Sequence, residues 1–389
     1  MDKLRFGIIG VGGMGSFHAK YLDTIEGVKL TAVADVEEAK LQAFANRPDV
    51  RAFARGEDLL DSRLVDAVII ATPHYFHPAI ARGAMERGIH VLCEKPVAVT
   101  IGEARKLNET YARFGHLKFG VMFQTRTVAM YQKLRDLVQS GELGEITRIT
   151  WLVTDWFRTW SYYASGGWRA TWAGEGGGVL INQCPHNLDL LQWIPNMMPT
   201  RVTAAAFIAK THPIEVEDEV SAILEYPSGA VGHFVTSTGE APGTNRLEIC
   251  GDRGKIVAEG GKLLFSRTRL SVRQIREESP ESFPRAETWA MEIPYATGRP
   301  EGHKVVTENF VAAVLRNEPM LAPGVEGVRG LEIGNAMLMS GLTRKPVDLP
   351  VDAEAYERFI RDNIARHGGR KSQAPRSGPT ADLSGSFKL

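Results

Sequence analysis

The stretch Leu4-Arg5-Phe6-Gly7-Ile8-Ile9-Gly10-Val11-Gly12-Gly13-Met14-Gly15 decides the first prediction of the fold. Its first six residues are a β-prone run, its glycines form a G-x-G-x-x-G turn, and the residues Ser16 to Leu22 that follow have a helical pattern. Gly10 allows the tight turn, Gly12 allows a pyrophosphate to approach the backbone, and Gly15 allows the helix to pack closely on the strand. A strand, a glycine turn and a helix in this order are typical of a dinucleotide-binding domain.

Asp35 ends the next apolar run, Lys29 to Ala34, about 20 residues after the last glycine of the turn. A carboxylate at this point accepts hydrogen bonds from a ribose diol, and it would repel the 2′-phosphate of NADP. No arginine follows in Val36 to Ala39 to offset that repulsion, so NAD is favoured over NADP. The alternative is that Asp35 is the N-cap of a helix predicted from Val36 to Asn46.

Two further apolar runs end in polar loops. Asp66 to Ala71 leads into Thr72-Pro73 with His77 nearby, and Ile89 to Leu92 leads into Cys93-Glu94-Lys95-Pro96. Ligands of α/β sheets bind beyond the carboxyl ends of the strands, so Lys95 is expected to point at the ligand. A Lys-Pro bond is also one of the few that tolerate a cis peptide. The alternative is an ordinary solvent-exposed lysine at a strand end.

Strand and helix patterns alternate over about 120 residues, which predicts a doubly wound parallel sheet of the Rossmann type. After Arg126 the pattern changes to a long strand, Ile146 to Phe157, and then to several strands between Arg201 and Arg267 that are joined by short turns. Short turns predict antiparallel pairing, so the second part is expected to be α+β with an open sheet. An apolar face of such a sheet would be a surface for self-association. The predicted domains are 1–125 for NAD, 126–350 for substrate and oligomerisation, and 351–389 for a C-terminal helix and an extended tail.

The composition narrows the class of partner. Lys and Arg together number 46, as do Asp and Glu, so the chain lacks the positive charge with which proteins collect nucleic acid. The three cysteines, Cys93, Cys184 and Cys250, are odd in number and far apart, which fits a reducing compartment. No apolar run reaches the roughly 18 to 20 residues that a membrane helix needs. We therefore expect a cytoplasmic protein of two domains with a small-molecule partner, no nucleic acid and no membrane.

A second group of polar residues follows the glycines at 174 and 176–178. If one helix covers Asn182 to Trp193, then Asn182, His186 and Asp189 lie at i, i+4 and i+7 on one face. Pro185 is compatible with that helix only near its first turn or at a kink. Histidine is the natural acid or base at neutral pH, and beside a lysine it could move a hydroxyl proton. The alternative is that His186 caps or packs a buried helix.

Six of the seven tryptophans lie between Trp151 and Trp193. The segment Arg158 to Gly178 mixes aromatic rings with glycines and arginines, which favours the wall of a binding site over core packing alone. Aromatic faces suit the C–H face of a sugar ring, and arginines suit its hydroxyls. The side chains predicted to line the site are Arg158, Trp160, Tyr163, Trp168 and Arg169, together with Lys95, Asn182 and His186.

These motifs together resemble the glucose-fructose oxidoreductase, inositol dehydrogenase and rhizopine-catabolism family (Gfo/Idh/MocA), from the N-terminus to about Pro350. The resemblance is carried by the G-x-G-x-x-G turn followed by His18, Asp35, Thr72-Pro73 with His77, Glu94-Lys95-Pro96, and Gly176-Gly177-Gly178 followed by His186 and Asp189. It implies an NAD(P)-dependent oxidoreductase that acts on a sugar or cyclitol hydroxyl, with a Rossmann domain and a second α/β domain whose open sheet forms a homodimer or homotetramer.

Inositol-dehydrogenase-like members of this family use a lysine, an aspartate and a histidine, which the resemblance maps onto Lys95, Asn182 and His186. Asn182 is the departure, because an amide cannot stabilise a protonated imidazole as a carboxylate would. His186 would then be tuned through Asp189 or through substrate hydroxyls, and a pyranose or pyranoside becomes a better guess than inositol. Two alternatives remain on this fold, an NAD-dependent glycosidase with transient oxidation and a non-catalytic NAD-binding regulator.

The prediction for the site is therefore as follows. The catalytic residues are Lys95, His186 and Asn182, with either Lys95 or His186 as proton acceptor, and no metal is expected. The residues expected to contact the cofactor are Gly10, Gly12, Gly13, Met14, Gly15, Asp35, Thr72, Pro73, His77, Glu94 and Lys95.

Overall fold

A computed structural model describes residues 3–368 of the chain. Its first sheet has six parallel strands in the order β3-β2-β1-β4-β5-β6. This is the doubly wound order of dinucleotide-binding domains, and the predicted parallel sheet is confirmed. The strands are β1 (Leu4–Ile9), β2 (Val28–Ala34), β3 (Arg51–Phe53), β4 (Ala67–Ile70), β5 (His90–Cys93) and β6 (Phe119–Val121).

Helices cover both faces of this sheet, as apolar strands such as the fully buried β4 require. The helix predicted from Val36 to Asn46 is much shorter, with one turn of α-helix and a 3₁₀ turn at Gln42–Phe44. Its α-helical turn buries no residue, so no packing extends it. The helices are α1 (Gly13–Leu22), α2 (Glu38–Leu41), α3 (Gly56–Asp61), α4 (His77–Glu86) and α5 (Ile101–Arg113).

The second sheet has nine strands in the order β14-β13-β12-β11-β7-β10-β9-β8-β15. Neighbours pair antiparallel, as the short turns predict, except for the central pair β7 and β10, which is parallel. The sequence did not predict the strands beyond β12. The strands are β7 (Ile146–Val153), β8 (Arg201–Ile208), β9 (Glu217–Glu225), β10 (Val231–Ser237), β11 (Asn245–Gly251), β12 (Gly254–Glu259), β13 (Lys262–Thr268), β14 (Thr288–Glu292) and β15 (Val347–Asp348).

Helices cover one face of the second sheet and leave the other exposed. In β9, for example, buried residues alternate with the exposed Ser221, Ile223 and Glu225. The remaining helices are α6 (Ala129–Gln139), α7 (Trp160–Ala164), α8 (Val179–Asn182), α9 (Pro185–Trp193), α10 (Val272–Glu278), α11 (His303–Arg316), α12 (Gly327–Thr343) and α13 (Ala353–His367).

The single helix predicted from Asn182 to Trp193 is wrong. Asn182 ends α8, and Pro185 begins α9 as its first residue. Proline has no N–H to donate and its ring clashes with the preceding turn, so the helix breaks there. Asn182 and His186 therefore lie on different helices, and their orientations depend on the loop between them.

Helix α11 packs against the first sheet, although it lies within the predicted second domain. Val306, Phe310 and Val311 share a core with residues of β1, and the rings of Phe6 and Phe310 meet edge to face with centroids 6.2 Å apart. The predicted boundary at residue 126 therefore does not separate the two cores.

The C-terminal helix expected within residues 351–389 is α13, which continues to His367. Residues 369–389 of the predicted tail lie outside the described residues. Within residues 3–368, no helix is long and apolar enough to cross a membrane.

Candidate active site

The glycine turn forms an open cradle at the start of α1. Gly10 has a φ of +89°, and a Cβ at Gly15 would lie 1.8 Å from the carbonyl oxygen of Gly10, so neither position tolerates a side chain. At Gly12 the only atom of the described chain within 4 Å of a Cβ would be Nζ of Lys40, at 3.9 Å. The first turn of α1 has no acidic residue, so its free amides are available to an anion. This cradle fits a dinucleotide pyrophosphate, with Gly13 and Met14 in the first turn.

Asp35 closes the cradle from the end of β2. Its Oδ2 accepts from the amide of Val11 at 2.9 Å, and its Oδ1 accepts from the amide of Glu37 at 2.9 Å. Glu37 is the N-cap of α2, so the alternative role of Asp35 as helix N-cap is not what the structure shows.

Lys40 is a residue near the cradle that the sequence pattern did not indicate. Its Nζ lies 2.6 Å from Oε1 of Glu37 and 3.8 Å from Oδ1 of Asp35. Lys40 follows directly after Val36 to Ala39, and the turn of α2 brings its side chain back towards Asp35. A positive charge is therefore present beside the carboxylate that is expected to exclude NADP.

His77 joins two loops at the carboxyl edge of the first sheet. Its Nε2 lies 2.7 Å from the carbonyl oxygen of Thr72, and its Nδ1 lies 2.7 Å from that of Pro96. Burial lowers the pKa of His77. In the described chain, Oγ1 of Thr72 and Nδ1 of His74 are buried without a hydrogen-bond partner, so polar atoms at this edge remain available to a ligand. His77 thus holds the loops that surround the expected nicotinamide end of the cofactor.

The side chain of Glu94 is buried and contacts the main chain of Lys95. Its Oε1 lies 2.8 Å from Nε2 of the fully buried His18, and its Oε2 accepts from the amide of Lys95. Burial opposes ionisation of Glu94, but the hydrogen bond and charge of His18 outweigh it and lower the pKa of Glu94 to about 2. The Lys95-Pro96 peptide bond is cis.

The side chain of Lys95 reaches the second domain, where its charge acts on His186. Nζ of Lys95 donates to the main-chain oxygen of Asn182 at 3.1 Å, which joins β5 to α8. Burial lowers the pKa of Lys95, and the negative charge of Glu94 opposes this. Burial, reinforced by the charge of Lys95, holds the pKa of His186 well below its usual value. Both ring nitrogens of His186 are buried and lack a partner within residues 3–368, as a group reserved for a ligand would.

Asp189 does not tune His186, which corrects the prediction from the single helix. Its carboxylate forms a buried bidentate pair with Arg126, at 2.6 and 2.7 Å, and accepts from Gln192 at 3.0 Å. Arg126 is 63 positions away in sequence, and Nη1 of the same guanidinium binds Glu326 at 2.6 Å. Asp189 therefore belongs to a structural ion pair beneath the site.

Asn182 contacts a carboxylate that the sequence pattern did not indicate. Its Nδ2 donates to Oε1 of Glu175, which is 1% exposed, and its Oδ1 accepts from the hydroxyl of Tyr162 at 3.4 Å. Glu175 lies between Gly174 and Gly176 in the glycine-rich loop before α8. Only the folded loop reveals that it lies next to Asn182.

Arginines and aromatic rings form one wall of the site. The guanidinium of Arg158 lies 4.9 Å from the ring centre of Tyr162, and that of Arg169 lies 4.6 Å from Tyr162 and 4.9 Å from Trp168. The ring of Trp168 meets His74 edge to face, with centroids 5.5 Å apart. The structure thus brings Arg158, Trp168 and Arg169 together around Tyr162, which was not among the predicted site residues.

Other aromatic residues of this segment lie elsewhere. Trp151 and Trp172 are fully buried core residues. Tyr163 is also in the core, where its hydroxyl donates to Oγ1 of Thr238, so the expectation that it lines the site is corrected. Trp160 begins α7 with 53% of its surface exposed, and its contact with substrate remains a prediction.

Both halves of the chain match family models. Residues 4–122 match the model described as an oxidoreductase family with an NAD-binding Rossmann fold. Residues 131–257 match the model of the GFO/IDH/MocA C-terminal domain. The first region contains the whole first sheet, and the second contains β7 to β11 and the start of β12.

Named relatives are similar over part of their length. The rhizopine catabolism protein MocA of Rhizobium meliloti is 30% identical over 207 residues, which cover 53% of this chain and 61% of that protein. Inositol 2-dehydrogenase 1 of Paenarthrobacter aurescens is 38% identical over 145 residues, which cover 37% of this chain and 43% of that protein. The matches thus span less than two thirds of these relatives.

A solved structure is similar over nearly the whole fold. The WlbA dehydrogenase of Chromobacterium violaceum, in complex with NADH and UDP-GlcNAcA, superposes with a TM-score of 0.76 at 26% identity, covering 90% of this chain and 97% of that one. With the doubly wound sheet, the open second sheet and both family models in agreement, the chain belongs to the Gfo/Idh/MocA family of oxidoreductases.

Proposed function

We propose that the protein is an NAD-dependent dehydrogenase that oxidises a ring hydroxyl of a sugar, glycoside or cyclitol to a ketone. One observation carries the proposal. Lys95 reaches the main-chain oxygen of Asn182, its charge acts on His186, and the ring nitrogens of His186 are unpartnered in the described chain. An ammonium and a neutral imidazole together are suited to hold a hydroxyl and remove its proton.

Lys95 and His186 have different roles because they differ in charge. Lys95 holds and polarises the substrate oxygen, because its ammonium has two further protons to donate besides the one bound to Asn182. His186 accepts the hydroxyl proton, because burial and the charge of Lys95 lower its pKa and keep the ring neutral at neutral pH. The bound nicotinamide supplies the hydride acceptor. The amides of Gly13 and Met14 and the carboxylate of Asp35 hold the cofactor.

The substrate class follows from the wall of the site. Tyr162 and Trp168 offer aromatic surface, while Arg158, Arg169 and the Asn182 amide offer polar groups, a combination that suits a hydroxylated ring. Relatives are named for inositol and rhizopine, and the WlbA dehydrogenase was solved with a nucleotide sugar acid. The amide at Asn182 favours a pyranose or pyranoside over inositol itself.

A substrate screen tests the proposal. Sugars, glycosides and cyclitols are incubated with enzyme and NAD, and NADH formation is followed by absorbance. Lys95→Ala should lose at least about 100-fold in kcat and retain NAD binding, whereas Lys106→Ala, on the exposed side of α5, should behave as wild type. Release of a free sugar without net NADH would instead indicate a glycosidase. NAD binding without turnover of any compound would indicate a regulator.

A further inference from the structure

We propose that Glu175 is a positioning residue that fixes the orientation of the Asn182 amide. It also supplies a carboxylate next to position 182, where the family resemblance leads one to expect an aspartate. The inference rests on the proposed function, since it assigns Asn182 to that site. It explains how an amide can stand where related enzymes are expected to have a carboxylate.

The hydrogen bonds around Tyr162 form a directed set. Its hydroxyl oxygen accepts from Nη1 of Arg169 at 2.8 Å and from Nε2 of Gln183 at 3.1 Å. A tyrosine hydroxyl has two acceptor sites and one proton, and both acceptor sites are filled. Its proton is therefore donated to Oδ1 of Asn182, 3.4 Å away. This makes the amide oxygen of Asn182 the acceptor on the side of the substrate wall.

Glu175 fixes the other side of the same amide. Its Oε2 accepts from the main-chain amide of Ala170 at 2.5 Å, and its Oε1 accepts from Nδ2 of Asn182. An ionised carboxylate can only accept, so a flipped Asn182 would set oxygen against oxygen at Glu175 and N–H against O–H at Tyr162. Each hydrogen bond in this series is therefore donated in the same direction, from Arg169 through Tyr162 and from Asn182 to Glu175, with the Asn182 amide fixed between them.

The charge of Glu175 also lies close to the catalytic lysine. The pKa of Glu175 is raised by burial, although the positive charges of Arg169 and Lys95 oppose this shift. The carboxylate lies 3.9 Å from Nη1 of Arg169, and Lys95 binds the main-chain oxygen of Asn182. Glu175 is therefore a buried carboxylate that interacts with two cations beside the substrate wall.

The glycines next to Glu175 make this position possible. Gly176 has a φ of +85°, and a Cβ there would lie 2.1 Å from Cγ1 of Val99. At Gly178 a Cβ would lie 1.9 Å from the carbonyl oxygen of Glu217. The loop packs too tightly for side chains at these points, and this brings Glu175 against Asn182 at the end of α8.

An exchange of charge tests the proposal. The proteins are wild type, Glu175→Gln, Asn182→Asp and the double variant. In Glu175→Gln the new amide faces Asn182 with its NH₂, so Asn182 flips and kcat falls between about 10-fold and 100-fold, with little change in affinity for NAD. In Asn182→Asp two buried carboxylates meet, which lowers both kcat and the melting temperature Tm at pH 8.

In the double variant, the carboxylate introduced at position 182 can accept from both the amide introduced at position 175 and the hydroxyl of Tyr162, so every partner is satisfied. We expect kcat and Tm at pH 8 to recover well above those of Asn182→Asp alone. Glu217→Gln is the matched control, because this buried glutamate binds the amides of Gly178 and Leu180 instead of Asn182. It should not rescue Asn182→Asp.

The two readouts separate this proposal from the proposed function. Melting temperatures need no substrate, so rescue of Tm in the double variant supports the pairing even if the screen finds no turnover. Additive losses of Tm in the double variant, or equal rescue by Glu217→Gln, overturn the role of Glu175. Additive losses of kcat with a known substrate overturn it too, and both results leave the dehydrogenase assignment standing.

Discussion

His186 acquires its role from its surroundings rather than from its residue type. Burial and the neighbouring charge of Lys95 lower its pKa and favour the neutral ring, and neither ring nitrogen finds a partner in the described chain. A neutral imidazole of this kind can accept a proton over the whole physiological range. The lowered pKa also determines at which end of the pH range activity should be lost.

We predict that kcat/KM falls only at pH values below the usual titration range of imidazole. A base works above its pKa, and the pKa of His186 lies well below 6.5, so activity should fall as pH decreases through that lowered value. His186→Asn should reduce kcat by a factor on the order of 10² to 10⁴ and remove this acid limb. Rate profiles from about pH 4.5 to 8 check both points. An acid limb that persists in the variant would assign the base elsewhere.

Asp35 is predicted to set the cofactor preference together with Lys40. Asp35→Ala should raise the KM for NAD about 10-fold and improve NADP relative to NAD, because the repulsion is removed and Lys40 is free to approach a 2′-phosphate. The double variant Asp35→Ala/Lys40→Ala should lose the improvement for NADP while keeping the weaker NAD binding. Steady-state kinetics with both cofactors measure this, and an unchanged NADP to NAD ratio in Asp35→Ala would refute the role of Asp35.

At this scale the sequence indicated those residues whose surroundings are defined by a short motif. The glycines, Asp35 and Lys95 stand at strand ends, where a motif of a few residues defines the environment. Glu175 and Lys40 were missed because their contacts depend on how a loop and a short helix fold back. The partner of Asp189 was missed because Arg126 lies in a distant segment that no periodicity connects to α9.

At the scale of the element, the glycines of the turn have two different roles: one allows close packing, and the other leaves space for a ligand. Gly15 is required by the packing of α1 on β1, whereas Gly12 has open space above it. One glycine therefore serves the fold and the other serves the ligand.

Two alanine substitutions should separate these roles. Gly15→Ala should destabilise the protein by several kcal/mol, because its Cβ would lie 1.8 Å from the oxygen of Gly10. Gly12→Ala should keep the wild-type Tm within about a degree or two but weaken NAD binding by about 10-fold or more, because the methyl group occupies the path of the pyrophosphate. Thermal unfolding and NAD titration measure the two effects. Equal loss of stability in both variants would contradict the distinction.

Elements with strong periodicity were predicted best. The bounds of the first predicted strand, Leu4 to Ile9, agree with β1 to the residue, since the strand ends where the glycine turn begins. The helix break at Pro185 was seen only as a possibility, because a proline is compatible with a first turn as well as with a kink. The exposed β14 was missed, since an edge strand without a buried face has little alternating pattern.

At the scale of the molecule, the second sheet leaves one broad face without a helical cover. Ile223 on β9 and Leu264 on β13 are exposed to 46% and 43%, on strands where they alternate with buried residues. Apolar side chains of this kind on an open sheet are typical of a surface that associates. We propose that the chain forms a homodimer or homotetramer through this face, as the resemblance implies.

Ile223→Lys tests this association. A charge in the middle of an apolar contact is costly to bury, so the variant should have at most half the mass of the wild-type assembly at equal concentration. Leu315→Lys, on the exposed side of α11, serves as control and should keep the wild-type mass. Light scattering coupled to gel filtration measures both. A variant with unchanged mass would exclude this face from the interface.

The packing of α11 on the first sheet has a consequence for synthesis on the ribosome. Strands β1 to β6 are complete once residue 121 has emerged, yet the core they share with Phe310 stays open until the chain beyond it is made. At about 5 to 20 residues per second, the delay is on the order of ten seconds or more. During that interval Phe6 lacks the ring of Phe310 that packs against it in the folded protein, so we expect this face of the first sheet to be completed last.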